Sequence, residues 1–403
     1  MGNINLYYFL YPLIGVVSII GVYLNKEKLF FRVMAIFLII ISMCRFDSGY
    51  DYFWYWIVGD KTLANNSIVN NLYQNLEFGV QKIYDVTRLL GHPQYFFAIT
   101  GLITFTLLYR TFEKESRSSL MALTLFIFVP MGFLEFNHVV MQAVAISIVF
   151  YFTRFSYEKK YLKFILAILF ACLFHSSAVL CLVFLFIPRK KIDKKLWILG
   201  SICLFMTLKY IFPNLVLRVH PNYYYLLSYK SELIYSNLFN LKIFTLLFLF
   251  IIFIETFKKK ISLSLIDKKF TFKEYEVYQF NIFGIGTILS LMLAYIYKGD
   301  LSRRIGMYFL VYVFLVAGNY IEIFNKKILK WIKIIIIFIV ILTKIALMIK
   351  WEQHFILDKK PYKDKKGYFL VRPNSMGIRL FFNKKYEDMS PYLPNEVKFE
   401  RDK

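Results

Sequence analysis

Cysteine is scarce: Cys44, Cys172, Cys181 and Cys203 are the only four in 403 residues, and no two form a C-x-x-C pair. All four lie within or at the edges of apolar segments, which argues against metal or redox use and for simple packing. Nucleotide motifs are missing too. There is no P-loop, no G-x-G-x-x-G, no H-E-x-x-H and no G-x-S-x-G, so a nucleotide-driven pump built on this chain alone is not expected. No basic stretch precedes the first apolar run and no A-x-A-like site follows it, so the sequence reads as inserted uncleaved. No internal repeat or low-complexity linker interrupts it. Carboxylates are few, 26 against 50 Lys and Arg, for a net charge of +24. In a soluble protein that excess would suggest nucleic acid; here its distribution matters more than its sum.

What the chain has in abundance is apolar surface. It is 58% hydrophobic and 20% aromatic, with a mean hydropathy of +0.53, more than a soluble domain of this size carries. The apolar runs extend over about 15–22 residues, near the ~20 that cross ~30 Å of hydrocarbon as helix. They lack the alternation of barrel strands, and helices satisfy their own backbone in lipid. The expected fold is therefore an all-α polytopic membrane protein of about twelve spans. Their expected positions are 5–24, 29–44, 94–112, 119–134, 138–155, 161–174, 176–187, 196–212, 239–257, 277–297, 305–323 and 331–349.

The connecting segments alternate in basic content. Segments 25–28, 109–117, 157–163, 189–195, 258–273 and 325–333 are rich in Lys and Arg, which assigns them to the cytoplasm. The other side then receives loops 45–93 and 213–238, the joint at 137–138, "FHSS" at 174–177, "KGDLSRR" and the tail. The expected organisation is one bundle over 1–349 with those two larger loops, followed by an extramembrane tail, 350–403, on the outer side. Residues 76–93 place Leu76, Val80, Ile83, Val86, Leu89 and Leu90 at helical spacing, the pattern of an amphipathic helix lying on the membrane surface.

The lysines of the cytoplasmic loops set topology and meet anionic lipid. The polar residues of the outer side need another reason. They include Arg45, Asp47, Asp51, Glu77, Arg88, His138, Gln142, His175, Arg218, His220, Lys298, Asp300, Arg303 and Arg304. Several stand at the ends of spans, where water is thin and an unpaired charge is costly. Cations gathered there suit an anionic ligand, and the planar Arg fork matches phosphate oxygens in pairs. Simpler uses exist for some of them. Tyr50, Tyr52, Trp54, Tyr55 and Trp56 also fit an aromatic belt, Arg45 with Asp47 or Asp51 fits a structural ion pair, and one of Arg303 and Arg304 fits a headgroup contact. Charge inside the spans is sparse, with Lys344, Lys209 and Lys242 the nearest cases.

The order of the outer motifs resembles the EpsG-like proteins within the Wzy group of polysaccharide repeat-unit polymerases. "RFDSGYDYFWY" (45–55) resembles an R-x-x-x-G-x-D-Y-x-x-Y signature, "LEFG" (76–79) an E-x-G-Y segment, "FHSSAV" (174–179) an F-H-x-S-A-L motif and "RRIGMYF" (303–309) a late R-x-x-x-Y-F stretch. The resemblance covers roughly residues 40–310 and rests on four motifs in the right order. One departure is plain: where such proteins show N-x-x-R-Q-x-x-A, this chain has Asn137, His138 and Gln142 with Met141 at the arginine's place.

What the resemblance implies is a GT-C-like polymerase architecture in the bacterial inner membrane with its site facing the periplasm. It would join undecaprenyl-pyrophosphate-linked oligosaccharides, one as donor and one as acceptor, without nucleotide, cofactor or metal. Membrane lipids and a chain-length regulator protein would be its partners, and nucleic acid would not. Departure of a lipid diphosphate builds negative charge, which preplaced cations stabilise where water is excluded. Arg303, Arg304 and Arg45 are expected in that role, with Arg218 and His175 as supporting donors. The acceptor hydroxyl needs a base or an orienting carboxylate: Asp51 first, then Glu77 and Asp47. Tyr52, Trp54 and Tyr55 would stack on sugar faces, and His138, Gln142 and Tyr308 complete the expected substrate-binding set. Two other functions share these features. An O-antigen ligase uses the same lipid-linked donor with a different acceptor, and a flippase or exporter would bind the same lipid without chemistry.

Overall fold

The computed structural model describes residues 7–46, 52–129, 131–219, 244–249, 251–252, 267, 270–297, 301–357 and 377–378. Among them the chain is helical apart from one two-residue ladder. Helices α1 (Tyr7–Tyr23) and α2 (Glu27–Met43) form a hairpin that reverses at Asn25, whose φ of 55° is one that Asn tolerates better than most residues. Strand β1 (Arg45–Phe46) follows and pairs antiparallel with β2 (Gly377–Ile378), Arg45 opposite Ile378. Three short helices come next: α3 (Tyr52–Gly59), α4 (Ser67–Gln74) and α5 (Phe78–Leu89). The Asn66 side chain caps α4 by accepting from the Ile68 and Val69 N–H groups.

The body of the bundle is α6 (Gln94–Glu115), α7 (Ser119–Phe128), α8 (Phe133–His138), α9 (Val140–Tyr157) and α10 (Tyr161–Cys172), then a 3-10 helix (Ser176–Phe186). Helix α11 (Lys194–Met206) runs through a π turn (Thr207–Ile211) into α12 (Phe212–Val219). The last elements are α13 (Glu274–Tyr297), α14 (Leu301–Leu310), α15 (Tyr312–Tyr320) and α16 (Lys326–Leu357). Helix α2 packs on α6, α6 on α9, α9 on α10, α13 on α14, and α16 on α1 and α7. Gly286 and Gly306 let α13 and α14 approach closely: a Cβ at either would strike Phe309 or Ser290.

Four helical segments are long and apolar enough to cross a membrane: Gln94–Glu115, Val140–Tyr157, Lys195–Asn214 and Glu274–Tyr297. A fifth arises if Ser302–Leu310 and Tyr312–Ile323, bent by 40° at their junction, count as one span. This is the fold of a polytopic membrane protein. The other expected spans coincide with shorter or broken elements. The expected 161–187 hairpin is α10 plus the 3-10 helix, and at ~2.0 Å per residue its eleven residues reach ~20 Å where an α-helix would reach ~15 Å. The expected span at 239–257 and the tail beyond 357 lie largely outside the described residues.

The two ends of the bundle differ. At the lysine-rich end, carboxylates and cations lock helices together. Lys333 lies 2.7 Å from both Glu27 and Glu322 and is itself 6% exposed. Arg117 grips Glu276 with two bonds of 2.6 Å, and Arg154 meets Glu158 and Glu115. Lys344 lies over the Tyr11 ring at 5.0 Å, while Lys209, exposed on its own helix, lies over Phe205 and Tyr210. Most of the residues expected to bind substrate lie at the opposite end.

Candidate active site

The short helix α8 organises that end, and aromatic packing explains its position. Phe133 and Phe136, one turn apart, are both buried against Phe126 of α7. That pins one face of α8 in the core and leaves Glu135, Asn137 and His138 for polar contacts. Asn137 donates from Nδ2 to the Phe133 carbonyl at 2.8 Å, which turns its Oδ1 outward to accept from Arg45 Nη1 at 2.7 Å. Two residues earlier on the same helix, Glu135 forms an ion pair with Arg303 of α14. Both partners are about 19% exposed, a depth at which loss of either would leave a poorly solvated charge.

Arg45 is built into the protein more deeply than a surface cation. It is 1% exposed, its guanidinium lies 5.0 Å from the Phe97 ring centre, and Gln94 donates to the carbonyls of Met43 and Arg45 at 2.8 and 3.0 Å. The positive charges of Arg45 and Lys344 both bear on His138. Gln142, at the start of α9, donates to the main-chain carbonyl of Arg304 at 2.5 Å, so α9 holds the start of α14 by its backbone. The Arg304 side chain is exposed.

The third component is the tip between α10 and the 3-10 helix. His175 caps the 3-10 helix, its ring accepting from the Ser177 N–H. The Ser177 hydroxyl lies 2.6 Å from His175 Nδ1 and 3.1 Å from the Tyr308 hydroxyl of α14. Glu77, which precedes α5, accepts from the Ser176 N–H at 3.1 Å. The Gly79 N–H donates to the Leu173 carbonyl at 2.8 Å, and a Cβ at Gly79 would press on that oxygen. Glycine is needed here for the close approach. Burial pushes the His175 imidazole below its usual range; Glu77 opposes the shift and Arg304 adds to it. Glu77, His175 and Arg304 are thus electrostatic neighbours contributed by three distant parts of the chain.

Of the expected site residues, the structure brings together Glu77, His175, Tyr308, Arg303, Arg304 and Gln142, with His138 at the end of α8 and Arg45 bonded to Asn137 of the same helix. Tyr52 is in the core, 2% exposed and stacked 4.4 Å from Phe97, so its ring packs against protein. Tyr55 packs against Phe96, and Trp54 is half-buried. Arg218 is exposed at the end of α12, and no hydrogen bond or ion pair to the cluster is seen for it. Arg88 of α5 braces α3 and α4, donating to the Val58 carbonyl at 3.0 Å with its guanidinium over the Tyr73 ring. Asp47, Asp51, His220, Lys298 and Asp300 lie outside the described residues. Among the described residues no three of His, Cys, Asp and Glu gather as a metal site would require.

Glu135 and Ser177 belong to this cluster and were not singled out from the sequence. Glu135 had a usable signal: it is the one carboxylate between Glu115 and Glu158, and such residues inside membrane segments mark pairing or function. The family model described as EpsG matches residues 28–363. Neither the curated proteins nor the solved structures contain a match.

Proposed function

This chain belongs to the EpsG family, whose character is that of polysaccharide polymerase-type proteins, and we propose that it joins oligosaccharide units carried on polyprenyl diphosphate. The observation that carries the reading is the convergence of Glu77, His175 and Arg304, with Arg303 held nearby by Glu135. In the proposed reaction an acceptor sugar hydroxyl attacks the anomeric carbon of the donor chain. The anomeric C–O bond to the diphosphate breaks, and its electron pair leaves with the diphosphate. The hydroxyl proton passes to a carboxylate. Glu77 would serve here: one of its oxygens accepts from the Ser176 N–H, and the other would take the proton. Asp51 and Asp47 are the further candidate bases.

Arg304 and Arg303 would meet the developing diphosphate charge. Bidentate Arg is suited to phosphate, and the low dielectric around half-buried Arg303 strengthens its part, while Arg304 contributes from an exposed position. Trp54 and Tyr55, both half-buried, would border the sugar at the same end. Both substrates are lipid-anchored, so they would enter sideways between helices. The proposed setting is the bacterial cytoplasmic membrane with this end facing outward, as the lysine-rich opposite end favours. A chain-length regulator would act on this machinery.

The test is to supply the reconstituted full chain with polyprenyl-diphosphate-linked repeat units and measure product length. Wild type should give long chains, and Arg303→Ala and Arg304→Ala should leave single units. Long products from both variants would remove the arginines from the reaction.

A further inference from the structure

The two ring nitrogens of His175 have different neighbours. The Ser177 main-chain N–H points at Nδ1 with a separation of 3.4 Å, and the Ser177 hydroxyl lies 2.6 Å from the same atom. A main-chain N–H only donates, so a proton on Nδ1 would confront another donor proton. Nδ1 is therefore the acceptor. The Ser177 hydroxyl can then turn its own proton toward Nδ1 and accept the Tyr308 hydroxyl proton across 3.1 Å. Every donor in the series Tyr308, Ser177, His175 points the same way. Tyr308 is 1% exposed, so its ring is fixed by the core, and the series starts from a rigid point on α14.

From this geometry we infer that Ser177 and Tyr308 are positioning residues that fix His175 with its proton on Nε2, so that it offers a hydrogen-bond donor and not a base. The inference rests on the reading above, in which the group that departs beside His175 and Arg304 is a diphosphate. Nε2–H then shares the anion with Arg304. The imidazole keeps its proton throughout, no bond is made or broken on it, and proton removal from the acceptor hydroxyl falls to a carboxylate. Which nitrogen carries the proton is set by what the other nitrogen accepts. Here the setting comes from a residue two positions along the same chain and from a tyrosine 131 positions further on.

The chain has five histidines, few enough for nitrogen-15 labelling of histidine in the full-length protein reconstituted in bilayers. His175→Gln identifies the His175 signals by difference. At neutral pH the expected spectrum shows protonated Nε2 and bare Nδ1. Ser177→Ala keeps the main-chain N–H but loses the hydroxyl, so it should admit a minor share of the other tautomer; Tyr308→Phe should admit less, and Ser177→Thr, which keeps the hydroxyl, should retain the wild-type pattern. A wild-type Nδ1–H or imidazolium signal overturns the inference without touching the proposed reaction. Undecaprenyl diphosphate added to the bilayer should then move the Nε2–H proton signal. A correct tautomer that ignores this lipid overturns the donor role and counts against the diphosphate reading itself.

Discussion

Glu135 and Arg303, 168 positions apart in sequence, form an ion pair that ties the short helix α8 to the start of α14. The carboxylate sets where the guanidinium stands, and the aromatic packing of Phe133 and Phe136 sets where the carboxylate stands. Glu135→Gln should lower stability by about 1–3 kcal/mol, because Arg303 is left with a neutral partner at partial burial. It should also shorten the polymer. The exchanged pair, Glu135→Arg with Arg303→Glu, restores the attraction but reverses the charge offered to substrate. Thermal unfolding in detergent should recover in the exchanged protein while chain length stays short; recovery of both would make the pair purely structural.

At the lysine-rich end, Lys333 sits between Glu27 and Glu322 at 2.7 Å each. Lys333→Met should be strongly destabilising, by about 3–5 kcal/mol, since two carboxylates are left without their shared cation. Combining it with Glu27→Gln and Glu322→Gln should recover much of that loss. Melting temperature of the purified protein reads both effects, and a Lys333→Met protein as stable as wild type would show the contacts to be energetically idle.

His175 gives a pH dependence with a definite sign. Its folded-state value lies below the ordinary one, chiefly through burial. Between the folded value and the unfolded value of ~6.5 the unfolded chain binds more protons, so this group makes stability rise with pH there. The contribution is complete above ~6.5 and is lost as pH falls through the folded value. Wild type and His175→Gln, melted across pH 5 to 8, should diverge on the acid side, with wild type losing more. Parallel curves would mean that His175 titrates normally.

The sequence showed much of the helical framework, because ~20-residue apolar runs are set by bilayer thickness. The ends of α1, α2, α6, α9 and α10 fall within a few residues of expectation. The motif residues Glu77, His175 and Tyr308 also lie together, through the contacts of Ser176 and Ser177. Three features were not legible. A break near 137–138 was expected, but the separate helix α8 was not: it depends on Phe126 receiving Phe133 and Phe136, a tertiary contact. The pairing of Arg45 with Asn137 spans 92 positions, and no local pattern announces such a contact. Tyr52 looks like its aromatic neighbours in sequence, yet only the fold decides that it stacks on Phe97 in the core.

Gln142 holds Arg304 through its main-chain carbonyl, so the tether survives whatever side chain stands at position 304. That makes 304 a dial: substitutions graded in charge and reach can be exchanged there while the scaffold beneath stays clamped, and the response of chain length would report chemistry alone.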